Sequence, residues 1–128
     1  MSFFYISDDV TTERVDYFDD VVVLVAGGEI DYAASPQLRE RLADCVIEGK
    51  RRLMLDLSAV TFIDSTAIGV LVGAVMRLHE LGGGGSLAVV CNEENKRVLR
   101  IFEIAGVESL IALHYSREEA FSALATAG

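Results

Sequence analysis

The chain has 128 residues, the size of one ordinary domain, and 52% of them are hydrophobic. That balance allows a buried core and excludes an intrinsically disordered chain, which combines few apolar residues with a high net charge. Twenty acidic and eleven basic side chains leave a formal net charge of −9. Because such a surface repels phosphate backbones and anionic lipid headgroups, we expect neither a nucleic-acid partner nor a membrane partner.

Targeting signals and cysteine chemistry are also disfavoured. The apolar N-terminus has no positively charged segment and meets Asp8 and Asp9 at once, unlike a secretory signal. The longest apolar run, residues 67–76, is about half of the ~20 residues that a membrane span needs. Cys45 and Cys91 are too few for a disulfide framework and lack metal-ligand spacing. We therefore expect a cytoplasmic protein without a metal or cofactor.

Strand and helix patterns alternate along the chain. Alternation of apolar and polar residues favours a half-exposed first strand, and continuous β-branched runs are typical of strands covered on both faces. Apolar residues at helical spacing, capping residues before them and glycines after them indicate the helices. The chain begins with an aromatic extension over 1–9, to which we assign no role. The predicted strands cover 10–17, 21–26, 53–57, 87–91 and 110–113, with a turn at 18–20 between the first two. The predicted helices run from an N-cap at Ser35 and Pro36 to Gly49, over 66–81 up to four glycines, over about 93–105 up to Gly106, and from a cap formed by Ser116 and Glu119.

This order of elements predicts the fold class. Strands separated by single helices form a mainly parallel sheet with right-handed crossovers. The first strand is joined to the second by a tight turn and should pair with it in the antiparallel direction. We therefore expect a single α/β domain over residues 1–128, with a mixed central sheet of four to five strands and about four helices.

The loops that follow the parallel strands are where a site is expected, because ligands and partners meet such sheets at the carboxyl ends of the strands. Asp64, Ser65 and Thr66 come directly before an apolar helix, whose first backbone N–H groups lack partners. Each of the three could cap the helix, and a cap alone would account for them. The predicted loops are 27–31, 58–65 and 92–94.

The helix after Ser65 carries two different stripes. The apolar stripe is predicted to face the sheet, and the opposite one, small and partly apolar near Ser65, to face water. Such a flat patch beside a hydroxyl suits contact with another protein, although small residues are also simply tolerated on a surface helix. Asp31 and Glu93 come from the adjacent loops. Asp31 is expected either to approach Ser65 or to be a solvated loop carboxylate. The apolar stripe is Ile68, Leu71, Val72, Val75 and Leu78, and the outer stripe is Thr66, Val70, Gly73, Arg77 and Glu80.

Residues 63–71, Ile-Asp-Ser-Thr-Ala-Ile-Gly-Val-Leu, resemble the phosphorylation-site motif of the STAS-domain anti-sigma factor antagonists, which are bacterial partner-switching regulators. Residues 28–31 followed by 38–42 resemble the segment from the second strand to the first helix of that family. Residues 95–106 resemble its third helix, so the resemblance covers nearly the whole chain. Ala67 departs from the glycine that many members carry there, and alanine is compatible with a helix.

The resemblance implies a three-way switch. The unmodified chain would bind an anti-sigma factor, which in this family is often also an ATP-dependent serine kinase, and so free the sigma factor. The kinase would phosphorylate the residue after the motif aspartate, here Ser65 with Thr66 as the alternative. The phosphorylated form would release its partner until a phosphatase resets it. The partner surface would then comprise Asp31, Asp64, Ser65, Thr66, Val70, Gly73, Arg77 and Glu93.

Catalysis is the weaker interpretation. His79 and His114 have no paired nucleophile, and the glycines at 82–85 end a helix, the reverse of the order in a phosphate loop. We therefore expect no enzyme activity. Asp56 lies within a strand and lacks the acidic pair of a phosphate-receiver domain. A magnesium site built from Asp31 and Asp64 is chemically feasible, but acidic surfaces often crowd carboxylates without a metal.

Two alternatives stay open. The same fold could act as an adaptor in a transporter or stress-sensing complex and bind its partner without phosphorylation. Cys45 and Cys91 could form a redox switch, although the helical stripe and the strand that carry them are predicted to be buried.

Overall fold

The computed structural model describes residues 3–8 and 21–126, so the predicted strand over 10–17 and the turn at 18–20 lie outside the described residues. Strands and helices alternate after the second strand, as predicted. The elements are β1 (Phe4–Asp8), β2 (Val21–Ile30), α1 (Ser35–Ile47), β3 (Arg52–Ile63), α2 (Ser65–Leu81), β4 (Ser86–Val90), α3 (Lys96–Ala105), β5 (Ala112–His114) and α4 (Arg117–Thr126).

The sheet has the order β1-β2-β3-β4-β5. Strands β2 to β5 are parallel neighbours, and β1 pairs with β2 in the antiparallel direction. Leu24, Leu55, Val89 and Leu113 lie side by side across the four parallel strands. The predicted α/β domain with a mixed sheet and four helices is thereby confirmed.

The two faces of the sheet carry cores of different size. Leu53 and Leu55 of β3 belong to the larger core, together with buried residues of α1, α2 and α3. Met54, between them, belongs to a smaller core with Ala120 and Leu124 of α4. Three helices therefore cover one face, and α4 covers the other. This alternation along β3 is the period-two pattern of a strand buried on both sides.

Strands β2 and β3 are longer than predicted, which overturns most of two predicted loops. Gly27–Ile30 and Ala59–Ile63, expected within the loops 27–31 and 58–65, pair with each other as the last part of β2 and β3. Register shifts between Val25 and Gly27, and again between Gly28 and Glu29, interrupt the ladder. These bulges break the period of two that identifies a strand in sequence. Strand β3 extends beyond β4, whose last residue, Val90, pairs with Asp56.

The aromatic N-terminus, to which the sequence assigned no role, provides edge strand β1. The ring of Tyr5 lies against Gly27, and the carbonyl and ring of Phe3 lie against Gly28, so a Cβ atom at either glycine would collide with them. Gly28 also has a φ of +84°, which favours glycine. The two aromatic rings contact each other with centroids 5.7 Å apart. The pair of glycines is therefore explained by close approach of β1.

Helix ends in the second half of the chain follow the sequence signals closely. Gly106 ends α3 in the left-handed conformation with a φ of 66°, as expected of a C-cap glycine. The α3 helix begins after its N-cap Asn95, three residues later than predicted. The Ser116 hydroxyl accepts a hydrogen bond from the Glu119 amide at 3.1 Å, as the predicted capping box requires.

Candidate functional site

Two aspartates meet at the carboxyl edge of the sheet. Ile30 and Ile63 are paired neighbours at the ends of β2 and β3, and the Asp64 amide donates to the Ile30 carbonyl at 3.2 Å. Asp31 and Asp64, the residues that follow this pair, therefore lie beside each other. Helices α1 and α2 start from this shared edge and both return along the same face of the sheet.

Asp64 is the N-cap of α2. Its backbone is extended, and its Oδ1 atom accepts a hydrogen bond from the Ala67 amide at 3.0 Å. Its carbonyl accepts the first helical bond, from the Ile68 amide at 3.1 Å. Helix α2 therefore begins at Ser65, one residue earlier than predicted. Of the three residues that could have capped this helix, Asp64 does so.

The Ser65 and Thr66 side chains are exposed in the first turn of α2. Among the residues that the structure describes, none forms a hydrogen bond with the Ser65 hydroxyl. The next residue, Ala67, is fully buried and anchors the turn. The hydroxyl can therefore be modified without breaking an interaction of the domain.

Asp31 has a different task from Asp64. Its Oδ1 atom accepts hydrogen bonds from the amides of Ala33 at 3.1 Å and Ala34 at 3.0 Å, and so holds the turn into α1. The Ser35 hydroxyl donates to the Asp31 carbonyl at 2.9 Å, and Ser35 is 1% exposed. The predicted N-cap at Ser35 is wrong, because Ala34 holds that position without a side-chain bond. The half-buried Asp31 is therefore not the freely solvated carboxylate of the alternative prediction.

Tyr32 is a surface residue of this edge that the sequence analysis missed. It directly follows Asp31 and is 74% exposed. Exposed aromatic side chains are enriched where proteins contact each other, because they bury a large area at a small entropic cost. The available signal was its position directly after Asp31, which the sequence analysis had already assigned to the site.

Val70 contradicts the predicted outer stripe of α2. It is only 6% exposed and belongs to the same buried cluster as Leu42 and Cys45 of α1. The reason is that α1 packs against this flank of α2, so the buried arc of the helix is wider than the sheet alone requires. The periodicity of α2 alone carries no information about its contact with α1, so the prediction could not identify Val70 as buried.

The exposed stripe that starts from Ser65 runs at a spacing of four residues. Gly69, Gly73 and Arg77 follow on that spacing, and all are exposed. The predicted positions Gly73 and Arg77 therefore lie on the surface, and Gly69 was missed. Arg77 approaches Glu80 at 3.6 Å in an exposed ion pair.

Glu93 belongs to the neighbouring loop, which follows β4. It is exposed in the turn after β4, and its carbonyl accepts a hydrogen bond from the Lys96 ammonium group at 2.9 Å. Asn95 fixes this turn against β3, because its side-chain amide donates to the Val60 carbonyl at 2.9 Å. Within the described residues, no hydrogen bond or ion pair joins Glu93 to Ser65.

A cation lies close to the end of β3 as well. The Arg97 guanidinium is 5.8 Å from the centre of the Phe62 ring. Phe62 comes two residues before Asp64, so α3 brings a positive charge near the edge that carries Asp31 and Asp64.

The cysteines are poorly placed for redox chemistry. Cys45 and Cys91 are both buried, and neither is in a disulfide. Burial, with a smaller contribution from the Asp56 charge, raises the pKa of Cys91 to about 12. The thiol of Cys91 is therefore protonated at neutral pH, and the protonated form is a poor nucleophile.

The described ranges, 3–8 and 21–126, contain no group of three or more histidine, cysteine, aspartate or glutamate side chains arranged to hold a metal ion. They also contain no helix with the length and apolar character needed to cross a bilayer.

Comparisons with known proteins agree with this geometry. The family model for the STAS domain matches residues 13–120. The anti-sigma-B factor antagonist of Bacillus subtilis (strain 168) is 33% identical over 100 residues, which cover 78% of this chain and 86% of that protein. An anti-sigma factor antagonist from Mycobacterium paratuberculosis has a similar structure, with a TM-score of 0.77 and 25% identity over 94% of this chain and 95% of that one. The fold is also similar to that of the unphosphorylated anti-sigma factor antagonist SpoIIAA, with a TM-score of 0.72 and 19% identity over 94% and 96% of the two chains.

Proposed function

This chain belongs to the STAS domain family, and we propose that it binds an anti-sigma factor, thereby frees a sigma factor, and is switched off by phosphorylation of Ser65. Its relatives support the role of an anti-sigma factor antagonist. The partner in this proposal is an anti-sigma factor with ATP-dependent serine kinase activity. A phosphatase restores the binding form.

The observation that carries the proposal is the division of labour between Asp64 and Ser65. Asp64 caps α2 through the Ala67 amide at 3.0 Å, which leaves the neighbouring hydroxyl exposed. A serine that capped its own helix would lose that bond on phosphorylation. Ser65 has no such bond to lose, so its modification is compatible with the folded domain.

The electrostatic balance at Ser65 supports a switch that leaves the fold intact. A phosphoryl group adds about −1.5 to −2 charges at pH 7. The start of a helix favours a negative group by about 0.3–1 kcal/mol. The adjacent Asp64 carboxylate opposes it, since two unit charges 4 Å apart in water repel by about 1 kcal/mol and the larger phosphoryl charge raises this to about 1.5–2 kcal/mol. The net effect is therefore a loss in the free energy of unfolding of no more than about 2 kcal/mol.

The effect on binding is expected to be much larger. A hundredfold loss of affinity corresponds to about 2.8 kcal/mol. Like charges brought together at a protein contact cost several kcal/mol, because the contact excludes water. A partner that packs tightly around the unmodified Ser65 hydroxyl would have to desolvate the added dianion, and this costs free energy when the contact supplies no counter-charge for it. A change that the folded domain tolerates thus becomes decisive at the interface.

A protein of similar structure carries a phosphoryl group and keeps its fold. SpoIIAA has structures in an unphosphorylated and a phosphorylated form, and both resemble this chain, with TM-scores of 0.72 and 0.60. In that protein the domain stays folded in both forms. This supports the expectation that phosphorylated Ser65 leaves the present domain folded.

A kinase assay tests the proposal. The chain is incubated with ATP and, in turn, with each purified anti-sigma factor of its source cell, and its intact mass is measured. We expect an increase of about 80 Da, one phosphoryl group, with one of them. The increase should disappear in Ser65→Ala and persist in Thr66→Ala, its matched neighbour. Binding without any gain of mass would instead support the non-phosphorylated adaptor.

A further inference from the structure

A groove of about 430 Å³ runs between α1 and α2. This volume lies within the range of about 300–1,000 Å³ that is typical of sites for ligands. Its floor is aliphatic, and Ile47 at its rim is 80% exposed, the most exposed of the large hydrophobic side chains that the structure describes. The lining from α1 is Arg39, Leu42, Ala43, Val46 and Ile47, and the lining from α2 is Gly69, Val70, Gly73, Ala74 and Arg77.

The charges of this groove are opposite in sign to those of the chain as a whole. The full chain has a net charge of −9, yet both charged residues of the lining, Arg39 and Arg77, are cationic. Arg77 shares its charge with Glu80 in an exposed pair, which competes only weakly with another anion. An apolar floor between two guanidinium groups is complementary to an apolar surface with carboxylates at its edges.

The glycines of the groove have no explanation within the domain. A Cβ atom at Gly69 or Gly73 would meet nothing within 4 Å. Glycine in the interior of a helix also destabilises it relative to alanine. Neither packing nor helix propensity therefore favours glycine at these positions, whereas the close approach of another backbone would.

We propose that this groove receives a helix of the anti-sigma factor, with an apolar face between α1 and α2 and acidic side chains against Arg39 and Arg77. This inference rests on the proposed function and names a second contact of the same partner. The groove continues the Ser65 edge, because Gly69 lies four residues after Ser65 on the same stripe, about 6 Å along the helix axis. Phosphate on Ser65 would repel the acidic side chains of the docked helix at that end.

Filling the groove is the main test. In Gly73→Leu, the new Cβ atom meets nothing within 4 Å, and the rest of the side chain takes up space in the groove that Gly73 lines. We expect its melting temperature to stay equal or rise, because leucine favours helix more than glycine. Its affinity for the anti-sigma factor that binds the parent chain should fall at least tenfold. Met76→Phe is the matched control, since Met76 is exposed on the same helix but does not line the groove; its affinity should not change.

Reversing the charge of the groove is the second test. The double variant Arg39→Glu with Arg77→Glu should bind at least tenfold more weakly, and the affinity of the parent should fall as salt is added. Arg100→Glu, at an exposed position on α3 outside the groove, is the control for the single variants Arg39→Glu and Arg77→Glu, because each of the three lowers the net charge by two units.

The outcomes separate the groove from the Ser65 switch. If Ser65→Asp weakens binding while Gly73→Leu and the arginine variants bind like the parent, the groove proposal is wrong and the switch stands. If the parent binds none of the purified anti-sigma factors, the proposed function fails and the groove proposal falls with it. The groove could instead be occupied by a second copy of this chain, and sedimentation of the purified chain tests this. If the parent chain is a dimer and Gly73→Leu is a monomer, the groove is a dimer contact and the proposal is wrong.

Discussion

Helices α1 and α2 start from neighbouring strands, each after an aspartate, but their first serines have opposite environments. At α1, the Ser35 hydroxyl is buried and donates to the Asp31 carbonyl at 2.9 Å. At α2, the Ser65 hydroxyl is exposed, because Asp64 satisfies the Ala67 amide instead. The residue types are the same, and the spacing between aspartate and serine differs.

The serine at the start of α1 stabilises the fold, whereas the serine at the start of α2 is accessible to modification. Where serine comes four residues after the aspartate, it closes the connecting turn and becomes part of the core edge. Where it follows the aspartate directly, it enters the first helical turn on the surface. A modification enzyme can reach the second hydroxyl and not the first.

Introducing a negative charge at the two serines should give the largest difference. Ser35→Asp buries a carboxylate without a partner, and we expect it to lower the free energy of unfolding by about 3 kcal/mol or more. Ser65→Asp should change that free energy by less than about 1 kcal/mol, because the charge is solvated at a helix start. Urea denaturation of both variants measures the contrast. Equal losses would show that the two environments are not different in solution.

Cys91, the residue after β4, extends the comparison to a buried ionisable side chain. Its pKa is raised to about 12 in the folded domain, against an ordinary value of 9.0. Because only the unfolded chain loses this proton above pH 9, the free energy of unfolding should fall by about 1.4 kcal/mol per pH unit up to pH 12. Below pH 9 the Cys91 thiol is protonated in both the folded and the unfolded chain, so it causes no change of the free energy of unfolding with pH there. The measurement is the difference between the parent and Cys91→Ala from pH 8 to 11, and parallel curves would contradict the raised pKa.

Removing the aspartates tests whether they perform the capping assigned to them. Asp64→Ala leaves the Ala67 amide without its partner, and Asp31→Ala does the same for Ala33 and Ala34. Loss of a capping residue costs about 0.5–2 kcal/mol. We expect both variants to lose free energy of unfolding within that range in denaturant titrations. Unchanged stability of Asp64→Ala would mean that Ser65 takes over the cap, which would weaken the argument for a free hydroxyl.

Deleting the two hydroxyls gives the smallest expected effects. Ser35→Ala loses one part-buried hydrogen bond, worth about 0.5–1.5 kcal/mol. Ser65→Ala loses none within the domain and should stay within about 0.5 kcal/mol of the parent. Thermal unfolding followed by circular dichroism is sufficient for this pair. A larger loss in Ser65→Ala than in Ser35→Ala would reverse the assignment.

Local signals in the sequence were sufficient for much of the fold. The order of strands and helices after residue 20, the parallel sheet and the stop of α3 at Gly106 were predicted, because continuous β-branched runs and glycine C-caps act over a few residues. The candidate site at Ser65 was found from the motif at residues 63–71, which lies at the end of β3 and in the first two turns of α2. The structure adds to it the reason why the serine is available, namely the cap by Asp64.

What the sequence analysis missed depends on contacts between distant segments. The bulged pairing of Gly27–Ile30 with Ala59–Ile63 looked like two loops, because bulges and glycines hide the strand period. Val70 was placed on the surface because the packing of α1 against α2 has no signature within α2. The aromatic residue Tyr5 had no assigned role because its partner, Gly27, lies 22 positions away in the chain.

The central claim is that a charge at Ser65 spoils an interface without unfolding the domain. Its most direct test is to prepare the chain phosphorylated at Ser65 and compare it with the unmodified chain, for affinity to the anti-sigma factor and for melting temperature. We predict at least a hundredfold weaker binding with a melting temperature that changes by no more than a few degrees. Equal affinity of the two forms, or weaker binding that merely accompanies unfolding, would contradict the account.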